Sequence, residues 1–176
     1  MAPCPFSDLL VKMWKAQRTL LIVGEGRDEE AFLNHIKSLY APRGCGLAVT
    51  IKNARGKGAL HVVNWTAGQA AIAKYDAVAA LFDTDTDWNA KTEKLAKAKR
   101  IQVLKSEPCF EAMMLRLIGK APIGDAHALK KQFAPYVNND ATQREHYAAH
   151  FDGGCLQAGR VKESTIDALL GLFGYL

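Results

Sequence analysis

Two groups of acidic residues follow apolar runs that have the character of buried strands. The stretch LFDTDTD places Asp83, Asp85 and Asp87 at alternate positions, and the earlier stretch GEGRDEE contains Glu25 and Glu29. Crowded carboxylates raise one another's pKa, so a compensating cation is expected nearby. Carboxylate oxygens suit Mg²⁺, which prefers oxygen ligands and retains several waters. These residue types therefore indicate a magnesium site, with Mn²⁺ as an alternative ion.

Short apolar runs alternate with amphipathic segments over most of the chain, which predicts the elements that hold these acids. The expected strands are 19–23, 46–52, 77–82 and 101–104, and the expected helices are 27–40, 58–75, 89–100 and 106–119. Such β-α repetition predicts an α/β fold with a central four-stranded parallel sheet flanked by helices. Ligands of open parallel sheets bind at the carboxyl ends of the strands, where both acidic groups fall. Asp83 and Asp85, at alternate positions of an extended strand end, should point the same way.

The strand pattern stops after residue 120, and short helices are expected over the remainder of the chain. The prediction is a single domain over 1–176, with a core at about 19–118 and a helical C-terminal extension at 119–176. A length of 176 residues with 49% apolar and 23% charged residues suits one folded domain. No apolar run reaches the length of a membrane span, and the N-terminal segment lacks a signal-peptide pattern, so a cytoplasmic protein without membrane association is expected.

Basic residues are placed unevenly, although the formal net charge of +5 is modest. Arg55 and Lys57 lie in NARGKG, and Lys94 and Lys97 lie in the lysine-rich stretch KTEKLAKAKR. A basic field over a polyanion such as nucleic acid is one interpretation. A solvated helix face is the other interpretation of the lysine run.

The segment SEPCFEAMMLRL follows the fourth expected strand and predicts a helix with Ser106 as N-cap and Pro108 in its first turn. Glu107 and Glu111, four positions apart, would share one exposed face of that helix. Glu111 then either orients a basic side chain or a metal-bound water, or is an ordinary exposed helix glutamate. Asp87 is likewise either an accessory ligand or a loop and helix-cap residue.

Three motifs in order carry a resemblance to a known family. IVGEGRDEEAF followed by ALFDTDTD resembles the Toprim domain, which has a glutamate after its first strand and D-x-D after a later one. SEPCFEAMMLRL resembles the RloB-like branch, related to the OLD-family nucleases. The E-G-x-T-E motif of those nucleases aligns with Glu25 to Glu29, with Asp28 in place of the usual threonine. The resemblance spans about residues 19–118.

The resemblance implies a compact Toprim-like, Rossmann-like fold and magnesium-dependent phosphoryl transfer on DNA or RNA, as in a nuclease or nicking enzyme. A role in defence against foreign nucleic acid is implied as well. Glu25 would be a general acid/base or a metal ligand, and Asp83 and Asp85 would hold metal. Glu29 matches a glutamate that supports a further metal in the nuclease branch. Arg55 and Lys57 could neutralise phosphate.

Two other functions remain open. The same site could serve nucleotide phosphotransfer or phosphohydrolysis. Alternatively, the chain could be a non-catalytic partner subunit that binds metal or nucleic acid. The sequence contains no ATPase motif, so an energy-coupled step would need an ATPase or another partner protein.

Overall fold

The computed structural model of the chain describes residues 18–85 and 87–174. Four strands form one sheet in the order β2-β1-β3-β4, and every neighbouring pair is parallel. The strands are β1 (Arg18–Gly24), β2 (Leu47–Asn53), β3 (Ala77–Asp83) and β4 (Gln102–Ser106). This arrangement confirms the expected α/β class with a four-stranded parallel sheet flanked by helices, and it is consistent with a Rossmann-like fold.

Seven α-helices and two short 3₁₀ helices are present within the described ranges. The α-helices are α1 (Arg27–Tyr40), α2 (Gly58–Ile72), α3 (Ala90–Ala98), α4 (Phe110–Leu117), α5 (Ala126–Phe133), α6 (Gly153–Gly159) and α7 (Ser164–Leu172), and the 3₁₀ helices are Ala134–Val137 and Arg144–Tyr147. The described helices include none with the length and apolar character needed to cross a membrane.

The two faces of the sheet carry unequal layers. Leu20 and Ile22 of β1 enter a large cluster with α1, α4 and the C-terminal helices, whereas Leu21 and Val23 enter a smaller one with α2 and α3. All four side chains are fully buried. Because side chains alternate along a strand, a continuous apolar run is required for a strand that is covered on both faces.

The C-terminal helices pack directly on the large cluster. Tyr147 is fully buried, and its single O–H lies within donating distance of two carbonyl oxygens, that of Ala141 at 2.8 Å and that of Asp28 at 3.2 Å. The His35 Nε2 atom lies 2.7 Å from the carbonyl oxygen of Phe151. Helix α1, whose first turn reaches the candidate site, is therefore held by the predicted C-terminal extension as well as by the sheet. The prediction of one domain over 1–176 extends beyond the described residues.

Helix α4 begins at Phe110, so the prediction of a helix start at Ser106 is wrong. Ser106 is the last residue of β4 and pairs in register with Asp83. The pairing of β4 with β3 extends the strand two residues past the expected end, and tertiary pairing thus overrides the local capping signal. Glu107 precedes the helix, so it shares no helical face with Glu111.

The starts of α3 and α6 differ in how well local sequence signals predict them. Asn89 caps α3 as expected, because its side-chain oxygen accepts from the N–H groups of Lys91 at 3.0 Å and Thr92 at 3.1 Å. Helix α6 starts with two glycines, which provide no local signal for a helix start. The Asp152 carboxylate accepts from the N–H of Cys155 at 2.8 Å and caps this helix.

Candidate functional site

Glu25 and Asp83 meet at the carboxyl edge of the sheet because β1 and β3 are neighbours. The N–H of Glu25 donates to the carbonyl of Leu81 at 2.9 Å. The N–H of Asp83 donates in return to Glu25 Oε2 at 3.1 Å. Backbone pairing thus sets the position of Glu25, and the end of β3 fixes one of its carboxylate oxygens.

Gly24 and Glu29 bring the first turn of α1 against the end of β1. A Cβ atom placed on Gly24 would lie 2.8 Å from the Cβ of Glu29, so glycine is needed for this close approach. Glu29 Oε2 accepts from the N–H of Gly26 at 2.9 Å, and only 8% of the residue is exposed. Glu29, predicted as a metal ligand, therefore also completes the N-terminus of its own helix.

Asp83 and Ser106 leave two polar atoms unpaired on neighbouring strands. The Oδ1 of Asp83 and the Oγ of Ser106 are both buried and have no hydrogen-bond partner among the described residues. The two residues face each other in the β3–β4 register. A buried unsatisfied atom in a folded protein calls for an explanation, and an ion is one of the recognised explanations.

The carboxyl edge of the sheet carries a surplus of negative charge. Burial raises the pKa of Asp83 to about 8, with further contributions from the charges of Glu29, Glu25, Glu111 and Asp85. Burial also raises the pKa of Glu29 to about 7, with smaller contributions from neighbouring acids. Within the described part of the chain, no ion pair joins Glu25, Glu29, Asp83 or Asp85 to a lysine or arginine. Proton uptake therefore relieves the repulsion where a cation is absent.

Asp85 and Asp87 differ from their expected placement. Strand β3 ends at Asp83, so the strand alternation from which a common direction of Asp83 and Asp85 was predicted does not extend to Asp85. Asp85 is exposed in the bend that follows, and it acts on Asp83 through its charge.

Asp87 caps the beginning of α2. Its carboxylate accepts from the N–H of Ala59 at 2.6 Å and from that of Leu60 at 3.2 Å. A Cβ atom on Gly58, where φ is +82°, would lie 2.7 Å from Asp87 Oδ1, so the residue opposite this carboxylate has no room for a side chain. Of the two interpretations of Asp87, the helix-cap one matches these contacts.

Glu111 is buried, with 5% exposure, so the expectation of an exposed helix glutamate is wrong. Its carboxylate lies 3.8 Å from the Nζ of Lys130 on α5. Its charge contributes to the raised pKa values of Asp83 and Asp28. Glu111 therefore belongs to the acidic edge, and α5 of the C-terminal extension supplies it with a cation.

The predicted phosphate-binding residues divide into two places. Arg55 is exposed in the loop after β2. Its two neighbours in the chain bind the end of β1. The N–H of Ala54 donates to the Gly24 carbonyl at 2.9 Å, and the N–H of Gly56 donates to the Glu25 carbonyl at 2.8 Å. Lys57, in the same loop, is also exposed. The structure thus brings this loop to Glu25.

Lys94 and Lys97 lie on the exposed surface of α3. Lys97 pairs with Glu93 at 2.9 Å in an ordinary surface ion pair. Because α3 returns the chain from the carboxyl end of β3 to the amino end of β4, its last turn lies toward the opposite edge of the sheet. The solvated-face interpretation of the lysine run agrees with this position for Lys97.

The donor set fits an oxygen-preferring cation in type and in place. Glu25 and Asp83 are carboxylates at adjacent strand ends, and the unpaired Oδ1 of Asp83 is available as a ligand. In the ranges 18–85 and 87–174, however, no three His, Cys, Asp or Glu side chains are already gathered around one point as a metal site. The carboxylates would have to draw together on a cation.

Sequence reasoning missed the roles of Arg27, Asn53 and Ser106 in this region. Arg27 and Asn53 line a cavity of about 780 Å³ beside the acids, together with Gly26, Glu30 and the predicted Arg55. Arg27 sits at the first position of α1, where its basic character gave no signal among the acids that follow. Ser106 was assigned to a helix cap.

Comparison of the chain with protein-family models, with curated proteins and with solved structures finds no match. Similarity therefore assigns no family, and the resemblance of residues 19–118 to the Toprim domain stays a prediction. Function has to be argued from the site itself.

Proposed function

We propose that the chain is a metal-dependent phosphodiesterase that acts on nucleic acid, with Mg²⁺ or Mn²⁺ held at the carboxyl edge of β1 and β3. The observation that carries this proposal is the buried, unpaired Oδ1 of Asp83 beside Glu25, Glu29 and Asp85, none of which forms an ion pair with a lysine or arginine of the described residues. A Toprim-like form of the Rossmann-like fold is part of the same proposal.

Glu25 and Asp83 would hold the cation, and Glu29 and Asp85 would add negative charge around it. When bound, a divalent cation neutralises phosphoryl oxygens and the leaving oxygen of an in-line displacement. The pKa of Asp83, about 8, means that this carboxyl largely holds its proton at neutral pH without metal. Binding at Asp83 must therefore displace a proton, which makes metal affinity rise with pH.

Glu25 is the residue best placed for proton transfer or ligation. Its Oε2 atom is held by the N–H of Asp83, so the carboxylate is oriented before a substrate arrives. Its backbone carbonyl accepts from Gly56 N–H, and Arg55 next to that contact is a positive charge for a phosphate. In this proposal Glu25 would supply the acid and Arg55 the cation that a bound phosphodiester needs.

The test is cleavage of labelled single- and double-stranded DNA and RNA by the purified chain, with Mg²⁺, with Mn²⁺ or with chelator. Cleavage that depends on metal and is lost in Asp83→Asn supports the proposal. Glu93→Gln, which removes one exposed carboxylate from α3, is the matched control and should cleave like wild type. Cleavage in chelator, or full activity of Asp83→Asn, contradicts the proposal. Hydrolysis of nucleoside triphosphates without cleavage of any polymer would indicate the nucleotide phosphohydrolase alternative.

A further inference from the structure

Three cavities beside the candidate site share their walls. The cavity of about 780 Å³ shares Arg27 and Glu30 with one of about 420 Å³ that reaches residues 142–145. It shares Glu30, Asn53 and Arg55 with one of about 470 Å³ that reaches Trp65. We call these three adjoining cavities, lined from Arg144 through Arg27 and Arg55 to Trp65, the basic groove. Each part has the volume of a small-ligand site.

The basic groove contains more positive than negative charge. Its cations are Arg27, Lys52, Arg55 and Arg144, and its acids are Glu30 and Glu145. Arg144 is already paired with Glu145 at 2.7 Å.

Arg27 and Arg55 both line the middle cavity of the basic groove. The side chains of Arg27 and Arg55 are exposed and make no hydrogen bond or ion pair to the described residues, while the acid between them, Glu30, accepts from the side-chain amide of Asn53. Two uncommitted guanidinium groups in one depression suit phosphate oxygens, which they bind in a bidentate manner.

Trp65 gives one end of the basic groove an aromatic surface. The residue is half-buried and packs against the smaller core cluster, and it also lines the cavity that contains Lys52 and Arg55. Cations along a groove with an aromatic side chain at its end are the combination by which proteins bind single strands, because an unpaired base stacks on the ring. The base faces of a duplex are already stacked on one another, so a duplex cannot use such a ring in the same way.

We propose that the basic groove binds single-stranded nucleic acid, with backbone phosphates at Arg27 and Arg55 and an unpaired base against Trp65. The further inference that the bound nucleic-acid strand runs toward the acidic residues rests on the proposed function. Gly26, the residue after Glu25, lines the groove, and Gly56 of the Arg55 loop donates to the Glu25 carbonyl. A strand in the groove therefore passes beside Glu25.

Binding is measured in chelator, so that it is independent of cleavage, by fluorescence anisotropy with labelled oligothymidylate, oligouridylate and a hairpin duplex. Wild type should bind the two single strands more tightly than the duplex, and the ratio of the first two affinities distinguishes DNA from RNA. Arg27→Ala/Arg55→Ala should bind about tenfold more weakly near 0.1 M salt. The slope of log affinity against log salt should become shallower by about 1.4, which corresponds to two lost phosphate contacts.

The matched control is Arg43→Ala, which removes an exposed arginine from the turn before β2, at the opposite edge of the sheet. It should keep wild-type affinity for single strands near 0.1 M salt to within about twofold. Trp65→Leu should weaken binding about tenfold, and Trp65→Tyr, which keeps a ring, should restore most of it. Thermal melting of each variant in chelator separates loss of binding from loss of folding.

The outcomes separate this inference from the proposed function. If the double arginine variant binds like Arg43→Ala, or if the duplex binds as tightly as the single strands, the inference is wrong even where wild type cleaves with metal. If binding behaves as expected and no cleavage occurs with any metal, the basic groove stands and the proposed phosphodiesterase activity is wrong.

Discussion

The carboxylate of Glu25 accepts a hydrogen bond from the backbone N–H of Asp83 at 3.1 Å, although the two residues are 58 positions apart. The contact joins the ends of β1 and β3, which are neighbours in the sheet. The backbone of Asp83 thus orients the carboxylate of Glu25. The Oδ1 atom of Asp83 itself is buried and has no hydrogen-bond partner among the described residues. A change at either residue therefore tests both the fold of the edge and its chemistry.

Glu25→Gln should separate these two roles. The amide oxygen of glutamine can still accept from Asp83 N–H, and one negative charge leaves the cluster, so melting in chelator should be unchanged or slightly higher. The cleavage rate with Mg²⁺ should fall by at least about a hundredfold, the scale of positioned acid–base catalysis. Melting far below wild type would make Glu25 structural, and wild-type cleavage would remove its catalytic assignment.

Asp83→Asn should abolish stabilisation by metal. A cation that binds only the folded state raises the melting temperature by mass action. Wild type should therefore melt higher with millimolar Mg²⁺ or Mn²⁺ than with chelator, and calorimetry should detect binding. Asp83→Asn should show neither effect, while Glu93→Gln should show both. Equal stabilisation of Asp83→Asn and wild type would place the metal elsewhere.

The metal-free protein should lose stability as the pH rises from about 6.5 to about 8.5. The pKa of Asp83 is about 8 and that of Glu29 about 7, both above the ordinary values of 3.8 and 4.5. In this window the folded state binds more protons than the unfolded state, so the free energy of unfolding falls with increasing pH.

His35 acts in the opposite direction at lower pH. Burial lowers its pKa below 6.5, so it contributes stability that is lost as the pH falls below that value. Because His35 is present in wild type and in Asp83→Asn alike, comparison of their melting in chelator from pH 6.5 to 8.5 isolates the contribution of Asp83. The decline should be smaller in Asp83→Asn than in wild type, and an identical decline in both would show that Asp83 does not titrate there.

Asp87→Ala should affect the stability of the fold and leave metal binding intact. Loss of a capping carboxylate from the start of α2 should lower the free energy of unfolding by about 1 kcal/mol. Chemical denaturation measures this change, and calorimetry measures metal affinity. A large loss of metal affinity in a well-folded variant would restore Asp87 as an accessory ligand.

The strands and the place of the acids could be predicted from sequence because their signals are local. The continuous apolar runs of β1 and β3 end in glycine and aspartate, and parallel strands bring their carboxyl ends to one edge. The meeting of Glu25 and Asp83 follows from these rules once β1 and β3 are adjacent. The orientation of Asp85 could not be predicted, since it depends on the residue at which β3 ends.

Other features depend on contacts that no local pattern contains. Ser106 resembles a helix cap, but pairing with β3 keeps it in the sheet. Asp87 caps a helix 28 positions earlier in the chain. Glu111 is buried and paired with Lys130 because the C-terminal helices cover α4. In each of these cases the residue type alone allows several roles, and contacts with distant parts of the chain determine which role the residue has.

The two walls of the basic groove should differ in mobility, because the layers that cover the two faces of the sheet are unequal in size. Arg27 belongs to α1, which packs on the large cluster, whereas Trp65 belongs to α2, which covers the smaller cluster together with α3 in the part of the chain that the structure describes. Local opening is easiest where few apolar side chains are buried, so backbone amides of α2 should exchange with solvent sooner than those of α1. If a strand binds in the groove, we therefore expect α2 to adjust to it more than β1 and β3, which carry Glu25 and Asp83.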